Sequence, residues 1–388
     1  MKKVLIVTRV SGFVPQFEMN HVRLLQDMGL EVHYAANFDV VVYGKDNSRL
    51  EGTGIVCHHI AFCRSPFSKE VVTSYHELRN LLEREKFDLI HCHMPMTGVV
   101  TRLAAQSLYR KTGCRVPVMY TAHGFHFYMG APLKNWIYYV PECILARYTD
   151  RLITMNDEDY KRACHFPVRG KVEKIPGVGI TLKNMTSPED EQSQQIRNTT
   201  RQELDVADND YLLISVGELT RRKNHREVLQ VLAQRDMPNV KYMICGSGPL
   251  EQELKMFIKE KQLEKQVILT GYCTEVDRML KAADCFVFPS VQEGLPVAMM
   301  EAMRAGLPVI ARKIRGNVDL IENGKGGVLL KYATVQEYQR AIRKLQETPG
   351  LSQQMGEWNQ QQIRRFSVDQ VTIQMKRIYS EVLEELEE

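Results

Sequence analysis

A chain of 388 residues with 44% hydrophobic and 25% charged residues has the composition of a soluble globular protein, and it is long enough for two domains. A formal net charge of +4 is too small to indicate a nucleic-acid-binding protein. No apolar stretch approaches the roughly 20 residues of a membrane span, and Val4–Thr8 is too short for a secretory signal. We therefore expect a cytoplasmic protein.

Nine scattered cysteines, several of them inside apolar strand-like runs, predict free thiols in a reducing compartment. The sequence His91-Cys-His93 would place two imidazoles on one face of a strand, because side chains alternate along a strand. No CxxC or HxxxH partner set accompanies them, so we expect no metal site.

In the first half of the chain, short apolar runs alternate with amphipathic stretches, which predicts a parallel sheet with helices on both faces. The predicted helices are Glu18–Met28, Lys69–Glu85 and Gly98–Arg110. The predicted strands are Val4–Thr8, Val32–Ala36, Gly54–Ile60, Phe87–Cys92, Val116–Thr121 and Arg151–Met155.

A polar stretch over 181–210, with a helix predicted at Gln192–Leu204, interrupts this alternation and indicates a linker. The alternation then restarts, and a helix-rich tail follows with a turn near Pro349. The predicted strands are Tyr211–Val216, Val240–Cys245, Gln266–Leu269, Cys285–Phe288, Val309–Ala311 and Gly327–Leu330. The predicted helices are His225–Arg235, Leu250–Lys261, Glu275–Ala283, Val297–Ala305 and Asn317–Glu322.

Two glutamates lie on either side of the last long strand-to-helix turn. Glu293 falls in the loop, Pro296 suits the first helical position, and Glu301 lies about 7.5 Å further along the helix at about 1.5 Å per residue. The helix N-terminus between them offers N–H groups and a positive dipole to an anion. The spacing suits a ligand with a polyol at each end and phosphates between, which is the shape of a nucleotide sugar.

The motif Phe-Pro-Ser-x-x-Glu293-Gly-Leu-Pro-x-x-x-x-Glu301-Ala resembles the signature of retaining glycosyltransferases of family 4. The resemblance extends over nearly the whole chain. It includes Ser215-Val-Gly-Glu-Leu-Thr-Arg-Arg-Lys223-Asn, Cys245-Gly-Ser-Gly-Pro-Leu, Leu269-Thr-Gly-Tyr272 and Thr121-Ala-His-Gly-Phe-His-Phe. The continuation of the last block to Trp136 and Asp150 resembles the branch that builds capsular and exopolysaccharide repeats on a lipid carrier.

The resemblance implies a GT-B fold, in which two doubly wound Rossmann-like domains face a central cleft. Residues 1–185 would form the acceptor-binding domain and residues 186–367 the nucleotide-sugar-binding domain. A C-terminal helix at about 368–388 would pack back on the first domain.

The resemblance also assigns roles to the glutamates and their neighbours. Glu301 would bind the ribose hydroxyls, and Glu293 would bind the sugar hydroxyls and, with the N–H groups of Gly294 and Leu295 ahead of Pro296, the phosphate. A carboxylate can grip a vicinal diol because it only accepts hydrogen bonds.

The loop after the strand Tyr211–Val216 carries the cations of the predicted site. A basic pair in a loop is usually solvated, but at this end of a strand it suits a clamp on the leaving diphosphate. The family commonly has Arg where this chain has Glu218, so we assign the cationic role to Lys223, with Arg222 as helper.

Further candidates lie in other strand-to-helix loops. The turn Gly246-Ser247-Gly248 lacks the third glycine of a dinucleotide-binding loop and is expected beside the nucleotide. Tyr272 is a candidate neighbour of the base, with core packing as the alternative. Gly12 could allow close approach of the first loop to donor phosphate or acceptor. His123 is expected near the transferred sugar, with a structural hydrogen bond as the alternative.

The segment Lys134-Asn-Trp-Ile-Tyr-Tyr-Val140 mixes a cation with aromatic residues. Such a segment is either a buried amphipathic element or a peripheral contact with the inner membrane leaflet, where Trp and Tyr prefer the headgroup level. Both interpretations remain open from the sequence.

Together with the resemblance, which implies the retaining course, these residues predict a metal-independent retaining glycosyltransferase without a cofactor. Its partners would be a nucleotide-sugar donor and a lipid-linked saccharide acceptor in cell-surface polysaccharide biosynthesis. A UDP-sugar is the expected donor, although no residue specifies the base. The alternatives are a nucleotide-sugar epimerase on a GT-B scaffold and a non-catalytic sugar-nucleotide-binding partner in an assembly complex. A two-carboxylate glycoside hydrolase is disfavoured because a predicted phosphate site separates the two glutamates.

Overall fold

The computed structural model describes residues 1–183, 185 and 190–385. The chain divides into two compact units: unit 1 is Met1–Gly179 with the chain from Val368 on, and unit 2 is Ile180–Ser367. The start of the second predicted domain at residue 186 lies outside the described residues, as do residues 386–388 of the predicted C-terminal helix.

Unit 1 is built on a parallel sheet whose central strands are buried on both faces, as expected for strands covered by helices on each side. The described strands, in chain order, are β1 (Lys3–Val10), β2 (Glu31–Asn37), β3 (Val56–His59), β4 (Leu89–His93), β5 (Val118–Ala122), β6 (Arg151–Thr154) and β7 (Lys171–Lys174). Their order across the sheet is β3-β2-β1-β4-β5-β6-β7.

The described helices of unit 1 connect these strands, and a π-helical turn at Val14–Glu18 and 3₁₀ turns at Ser48–Leu50 and Leu133–Tyr138 supplement them. The helices are α1 (Met19–Asp27), α2 (Glu70–Glu85), α3 (Pro95–Thr112), α4 (Tyr139–Ala146), α5 (Asp157–Ala163) and, at the end of the chain, α14 (Val368–Glu384).

The edge strand β7 was not predicted, because its sequence Lys-Val-Glu-Lys has no apolar run. An edge strand pairs on one side only and tolerates polar residues on both faces. The short helices α4 and α5 were also not predicted.

Unit 2 repeats the plan, and together the two units confirm the predicted doubly wound parallel sheets. Its described strands are β8 (Tyr211–Val216), β9 (Val240–Cys245), β10 (Val267–Gly271), β11 (Cys285–Phe288), β12 (Val309–Arg312) and β13 (Gly327–Leu330), in the order β10-β9-β8-β11-β12-β13. Its described helices are α6 (Glu191–Glu203), α7 (Arg226–Leu232), α8 (Glu251–Glu260), α9 (Val276–Ala282), α10 (Val297–Arg304), α11 (Asn317–Leu320), α12 (Val335–Glu347) and α13 (Leu351–Gln362), followed by a 3₁₀ turn at Ile363–Phe366.

The strand order reverses once in each sheet, between β1 and β4 in unit 1 and between β8 and β11 in unit 2. In open parallel sheets the loops after the two strands at such a reversal diverge to opposite faces, and ligands bind in the crevice between them. These two positions are therefore the places in the fold where a binding site is expected.

Helix α14 belongs to unit 1, where it packs against α1. The buried Tyr379 hydroxyl lies 2.8 Å from His91 Nδ1, and the buried Arg151 guanidinium pairs with Glu385. No helix in the described part of the chain combines the length and apolar character needed to cross a membrane.

A buried ion pair joins α3 to α4. Arg102 donates to Glu142 Oε2 and to the carbonyl of Gly98, both at 2.8 Å, and its guanidinium lies 4.3 Å from the Tyr120 ring centroid. The Tyr120 hydroxyl donates to Glu142 Oε1 at 3.2 Å. Because both charges are removed from water, each depends on the other.

We expect Arg102→Met to destabilise unit 1 by about 3–5 kcal/mol, since it leaves the buried Glu142 carboxylate without its cation. Urea unfolding followed by Trp136 fluorescence in a Trp358→Phe background reports on unit 1, because the two tryptophans lie in different units. The control is Arg84→Met, which removes an exposed partner of Glu85 and should cost less than about 1 kcal/mol. An equal loss of unfolding free energy in the two variants would contradict the stabilising role of the buried Arg102–Glu142 pair.

Candidate active site

Two loops meet at the strand-order reversal of unit 2. The loop after β8 carries Arg222 and Lys223, and the loop after β11 carries Ser290 and Glu293. The backbone N–H of Val291 donates to the carbonyl of Arg222 at 2.9 Å, and Ser290 Oγ lies 3.1 Å from the same oxygen. These bonds fix the two loops against each other.

The Glu293 carboxylate is the centre of this contact and is only 8% exposed. Its Oε1 accepts from Lys223 Nζ at 2.8 Å, from an Arg222 guanidinium nitrogen at 2.9 Å and from the Ser290 hydroxyl. Burial alone would raise the pKa of Glu293, but Lys223 and Arg222 outweigh it and hold the pKa below its usual range. Glu293 is therefore ionised at neutral pH.

The Lys223 ammonium is largely buried, with Nζ 4.7 Å from the Phe288 ring centroid. Burial lowers the pKa of Lys223, and Glu293 opposes that shift. The Arg222 side chain is more accessible to solvent than that of Lys223, since it is 45% exposed. Glu218, which departs from the family pattern, is exposed, and its charge also favours the ionised form of Lys223.

Arg315 and Gly316 support the Glu293 loop and were not identified from the sequence. Arg315 Nε donates to the backbone carbonyl of Glu293 at 3.0 Å. Gly316 has φ +81°, and a Cβ there would lie 2.4 Å from the Gly294 carbonyl oxygen, so only glycine fits. The basic run Arg-Lys-Ile-Arg315 after a predicted strand was the signal that could have revealed this contact.

Helix α10 begins at Val297, directly after Pro296, so Glu301 lies in its second turn as predicted. No side chain of the described residues caps this helix start with a hydrogen bond. Glu301 is half-buried, and burial raises its pKa to about 7. Among the described residues, its carboxylate makes no hydrogen bond and no ion pair, which leaves both oxygens available to a ligand.

The turn Gly246-Ser247-Gly248 packs on the backbone of the loop after β8. The Leu219 N–H donates to the Ser247 carbonyl at 3.0 Å, and a Cβ on Gly248 would lie 2.7 Å from the Leu219 nitrogen. Close packing against this loop therefore explains the glycine at position 248, whether or not a nucleotide also contacts the turn. Tyr272 is 74% exposed and takes no part in the core.

In unit 1, His123 follows β5, and His93 is the last residue of β4, beside the strand-order reversal. As the alternation predicts, the rings of His91 and His93 lie close together, 4.3 Å between centroids. His93 Nδ1 is 3.1 Å from His123 Nε2 and 3.7 Å from Glu18 Oε1. Glu18, in the π-helical turn, was not identified from the sequence because only the fold brings it here.

One atom each of Glu18, His93 and His123 lies within 4.8 Å of the others, so these side chains could also hold a metal ion. Gly12 lies in the turn that follows β1, and a Cβ there would be 2.4 Å from the Val41 carbonyl oxygen. The space beside Gly12 is therefore filled by the protein's own backbone.

A groove of about 1160 Å³ lies at the amino-terminal ends of the unit 2 strands, lined by residues that precede β11 and β12 and by α6 and α9. None of the predicted site residues in the described part of the chain lines it. The groove is separate from the site at the strand-order reversal.

Two family models match the chain. The model described as "Glycosyl transferase 4-like domain" matches residues 19–176, and "Glycosyl transferases group 1" matches residues 196–362. EpsD of Bacillus subtilis (strain 168), a protein assigned to the glycosyltransferases, is 31% identical over 385 residues, covering 98% of this chain and 96% of EpsD.

Two further proteins extend the comparison. The UDP-Gal:alpha-D-GlcNAc-diphosphoundecaprenol alpha-1,3-galactosyltransferase of Escherichia coli is 27% identical over 353 residues. The match covers 88% of this chain and 86% of the E. coli protein. The crystal structure of Anabaena Alr3699/HepE in complex with UDP and glucose superimposes with a TM-score of 0.75 at 20% identity, covering 98% of this chain and 100% of that one. The chain belongs to the group 1 glycosyltransferases and has the GT-B fold, as its motifs predicted.

Proposed function

We propose that this protein is a retaining, metal-independent glycosyltransferase that moves a sugar from a nucleotide-sugar donor, a UDP-sugar, to a lipid-linked saccharide acceptor in cell-surface polysaccharide biosynthesis. The observation that carries the proposal is the cluster of Lys223, Arg222 and Glu293 at the strand-order reversal of unit 2. This cluster joins two cations to an ionised carboxylate directly ahead of an uncapped helix start.

In this proposal each part of the donor binds to a different group of residues. The diphosphate binds at Lys223 and Arg222 and at the N–H groups of Gly294, Leu295 and Val297, because a helix N-terminus attracts anions. Glu293 accepts from the sugar hydroxyls, and Glu301 accepts from the ribose diol. The turn 246–248 and Tyr272 border the nucleotide, and His123 donates to a sugar hydroxyl.

The reaction breaks the bond between the anomeric carbon and the phosphate oxygen, and the electron pair leaves with the nucleoside diphosphate. Lys223, Arg222 and the helix N-terminus stabilise the charge that develops there, in a place where burial strengthens each interaction. The acceptor hydroxyl attacks from the same face, and its proton passes to an oxygen of the departing phosphate. We infer metal independence because these groups supply the positive charge that a metal ion would otherwise provide.

The relatives support the donor and acceptor classes. The name of the E. coli enzyme states a UDP-sugar donor and a saccharide acceptor on diphosphoundecaprenol, and the HepE complex contains UDP and glucose. An acceptor on a lipid carrier agrees with a protein on the cytoplasmic face of the membrane.

The test begins with a thermal-shift screen of nucleotide sugars, followed by transfer from the stabilising donor to undecaprenyl-diphosphate-linked saccharides. We expect Lys223→Ala to lower kcat by about 10²–10³-fold with little change in donor KM, because its charge matters most as the diphosphate leaves. Glu301→Ala should mainly weaken donor binding. The matched control is Lys255→Ala, which removes an exposed lysine of the same unit.

Wild-type turnover in Lys223→Ala would reject the clamp. Isomerisation of the donor without acceptor would favour an epimerase, and nucleotide binding without any release of UDP would favour a non-catalytic partner. Retention is decided separately by NMR of the anomeric configuration of the product.

The affinity for the donor should depend on pH through Glu301. Its pKa of about 7 means that the carboxylate is protonated below pH 7 and ionised above it. Only the ionised form accepts from both ribose hydroxyls, so the Kd for UDP-glucose should rise roughly tenfold from pH 8 to pH 6. Calorimetry measures this dependence, and UDP-glucose is suitable because its diphosphate diester does not titrate in this range.

The control for the pH profile is Glu301→Gln, which keeps the volume and removes the titration. Its Kd should be weaker than that of the wild type at pH 8 and nearly constant down to pH 6. An unchanged pH profile in this variant would exclude Glu301 as the source.

We also propose that unit 1 contacts the membrane through an apolar face formed by Leu133, Ile137, Val140 and Ile144. These side chains are 88%, 62%, 56% and 48% exposed, and their spacing places them on one side of the segment from 133 to α4. The exposed cations Lys134 and Arg147 flank this face and suit anionic headgroups. Trp136, by contrast, packs against Arg162 at 4.9 Å.

The apolar face predicts that Ile137→Ser reduces co-sedimentation with vesicles containing anionic phosphatidylglycerol by severalfold, and that high salt reduces it further. The matched control is Ile373→Ser on α14, because Ile373 is 63% exposed but lies outside the face. Equal vesicle binding by both variants would reject this surface.

A further inference from the structure

In unit 1, a row of buried side chains connects a carboxylate to His123. Glu18 Oε2 is hydrogen-bonded to His21 Nδ1, and Glu18 Oε1 lies 3.7 Å from His93 Nδ1. His93 Nδ1 is in turn 3.1 Å from His123 Nε2. Glu18, His21 and His93 are each at most 3% exposed, so bulk water does not intervene among them.

The surroundings of His93 determine where its proton lies. A neutral imidazole carries one proton, so one ring nitrogen donates and the other accepts. His93 Nε2 is buried and has no hydrogen-bond partner among the described residues. A proton there would be an unsatisfied buried donor, whereas a proton on Nδ1 faces the Glu18 carboxylate and can be donated to His123.

We propose that Glu18 and His93 are positioning residues that hold His123 as the neutral tautomer with its proton on Nδ1. Because His123 Nε2 accepts from His93, the single proton of a neutral His123 must lie on the other nitrogen. The inference deepens the proposed function, on which it rests for the role of His123: Nδ1–H is the donor offered to a sugar hydroxyl.

Burial supports the neutral state, because an imidazolium is costly where water is excluded. His93 is 1% exposed, and the His123 ring packs edge-on against Phe13 with 5.1 Å between ring centroids. The row is thus one carboxylate and a neutral His93–His123 pair.

The neighbouring His91 does not compete for these nitrogens. Its Nδ1 lies 2.8 Å from the Tyr379 hydroxyl and its Nε2 lies 2.8 Å from the Thr121 hydroxyl. Burial holds the pKa of His91 well below its usual value. Both His91 nitrogens therefore have hydrogen-bond partners of their own, and His93 Nδ1 interacts with His123 and Glu18.

The direct test is NMR of the full-length protein labelled with ¹⁵N-histidine, without donor. Long-range ¹H–¹⁵N correlations distinguish a protonated ring nitrogen from an unprotonated one, and His123→Gln identifies the His123 signals. We expect protonated Nδ1 and unprotonated Nε2 at pH 7. A protonated Nε2, an imidazolium, or stoichiometric metal on Glu18, His93 and His123 by elemental analysis would overturn the proposal.

The variant test is Glu18→Gln. Its side-chain amide can donate to His93 Nδ1, and His93 Nδ1 would then accept from His123 Nε2 instead of donating to it. We expect the His123 proton to move towards Nε2 and kcat to fall at least about tenfold, with donor KM within about twofold. An unchanged tautomer in this variant would also overturn the proposal.

The chain offers a matched control in a second carboxylate–histidine–histidine row. Glu31 Oε1 lies 2.6 Å from His33 Nε2, and His33 Nδ1 lies 2.8 Å from His58 Nε2. Glu31→Gln should leave both the His123 tautomer and kcat unchanged, and an equal loss would assign the Glu18 effect to general destabilisation. The NMR result needs no substrate, so failure of all variants and the wild type to transfer sugar would reject the proposed function alone.

Discussion

The Glu293 carboxylate, held by Lys223, Arg222 and Ser290, is the interaction on which the candidate site depends. A buried carboxylate is costly unless cations and hydrogen bonds compensate it. Well-packed apolar residues would often give equal or greater stability at such a position. The cluster is therefore better explained by chemistry than by stability, since it keeps two cations and an acceptor oriented before any ligand arrives.

The position of this cluster follows from the order of the strands. Because β8 and β11 are neighbours at the reversal, loops about 70 residues apart in sequence are joined by direct hydrogen bonds. The same reversal in unit 1, between β1 and β4, lies beside Gly12 and His93. One topological rule thus places cations and carboxylates in one unit and a row of histidines in the other.

The sequence predicted the central strands well and the tertiary contacts poorly. The predicted bounds of β8, β9 and β11 agree with the structure, because central strands buried on both faces are continuous apolar runs bounded by polar residues. The bounds of the edge strand β13 also agree, since its sequence Gly-Val-Leu-Leu is apolar as well. The edge strand β7 lacked that pattern. Glu301 was placed correctly on α10 by helical spacing, but the bonds from Lys223 to Glu293 and from His93 to His123 depend on which strands are neighbours, and no local pattern encodes that. Gly12 was expected to allow close approach of the first loop to a ligand, and Gly246-Ser247-Gly248 to form a tight turn beside the nucleotide. In the structure a Cβ on Gly12 or Gly248 would meet the protein's own backbone.

The substitution of Glu218 for the expected cation is best judged by counting charges. Lys223 and Arg222 contribute two positive charges and Glu293 one negative charge, so the cluster carries about one positive charge and the start of α10 adds roughly half of another. Glu218 is exposed, and solvent screens its repulsion of a phosphate group far more than it screens the buried attraction from Lys223. Its charge also favours the ionised form of Lys223, which burial opposes. A carboxylate at this position is therefore compatible with the proposed clamp, in which the buried Lys223 has the main cationic role and Arg222 assists it.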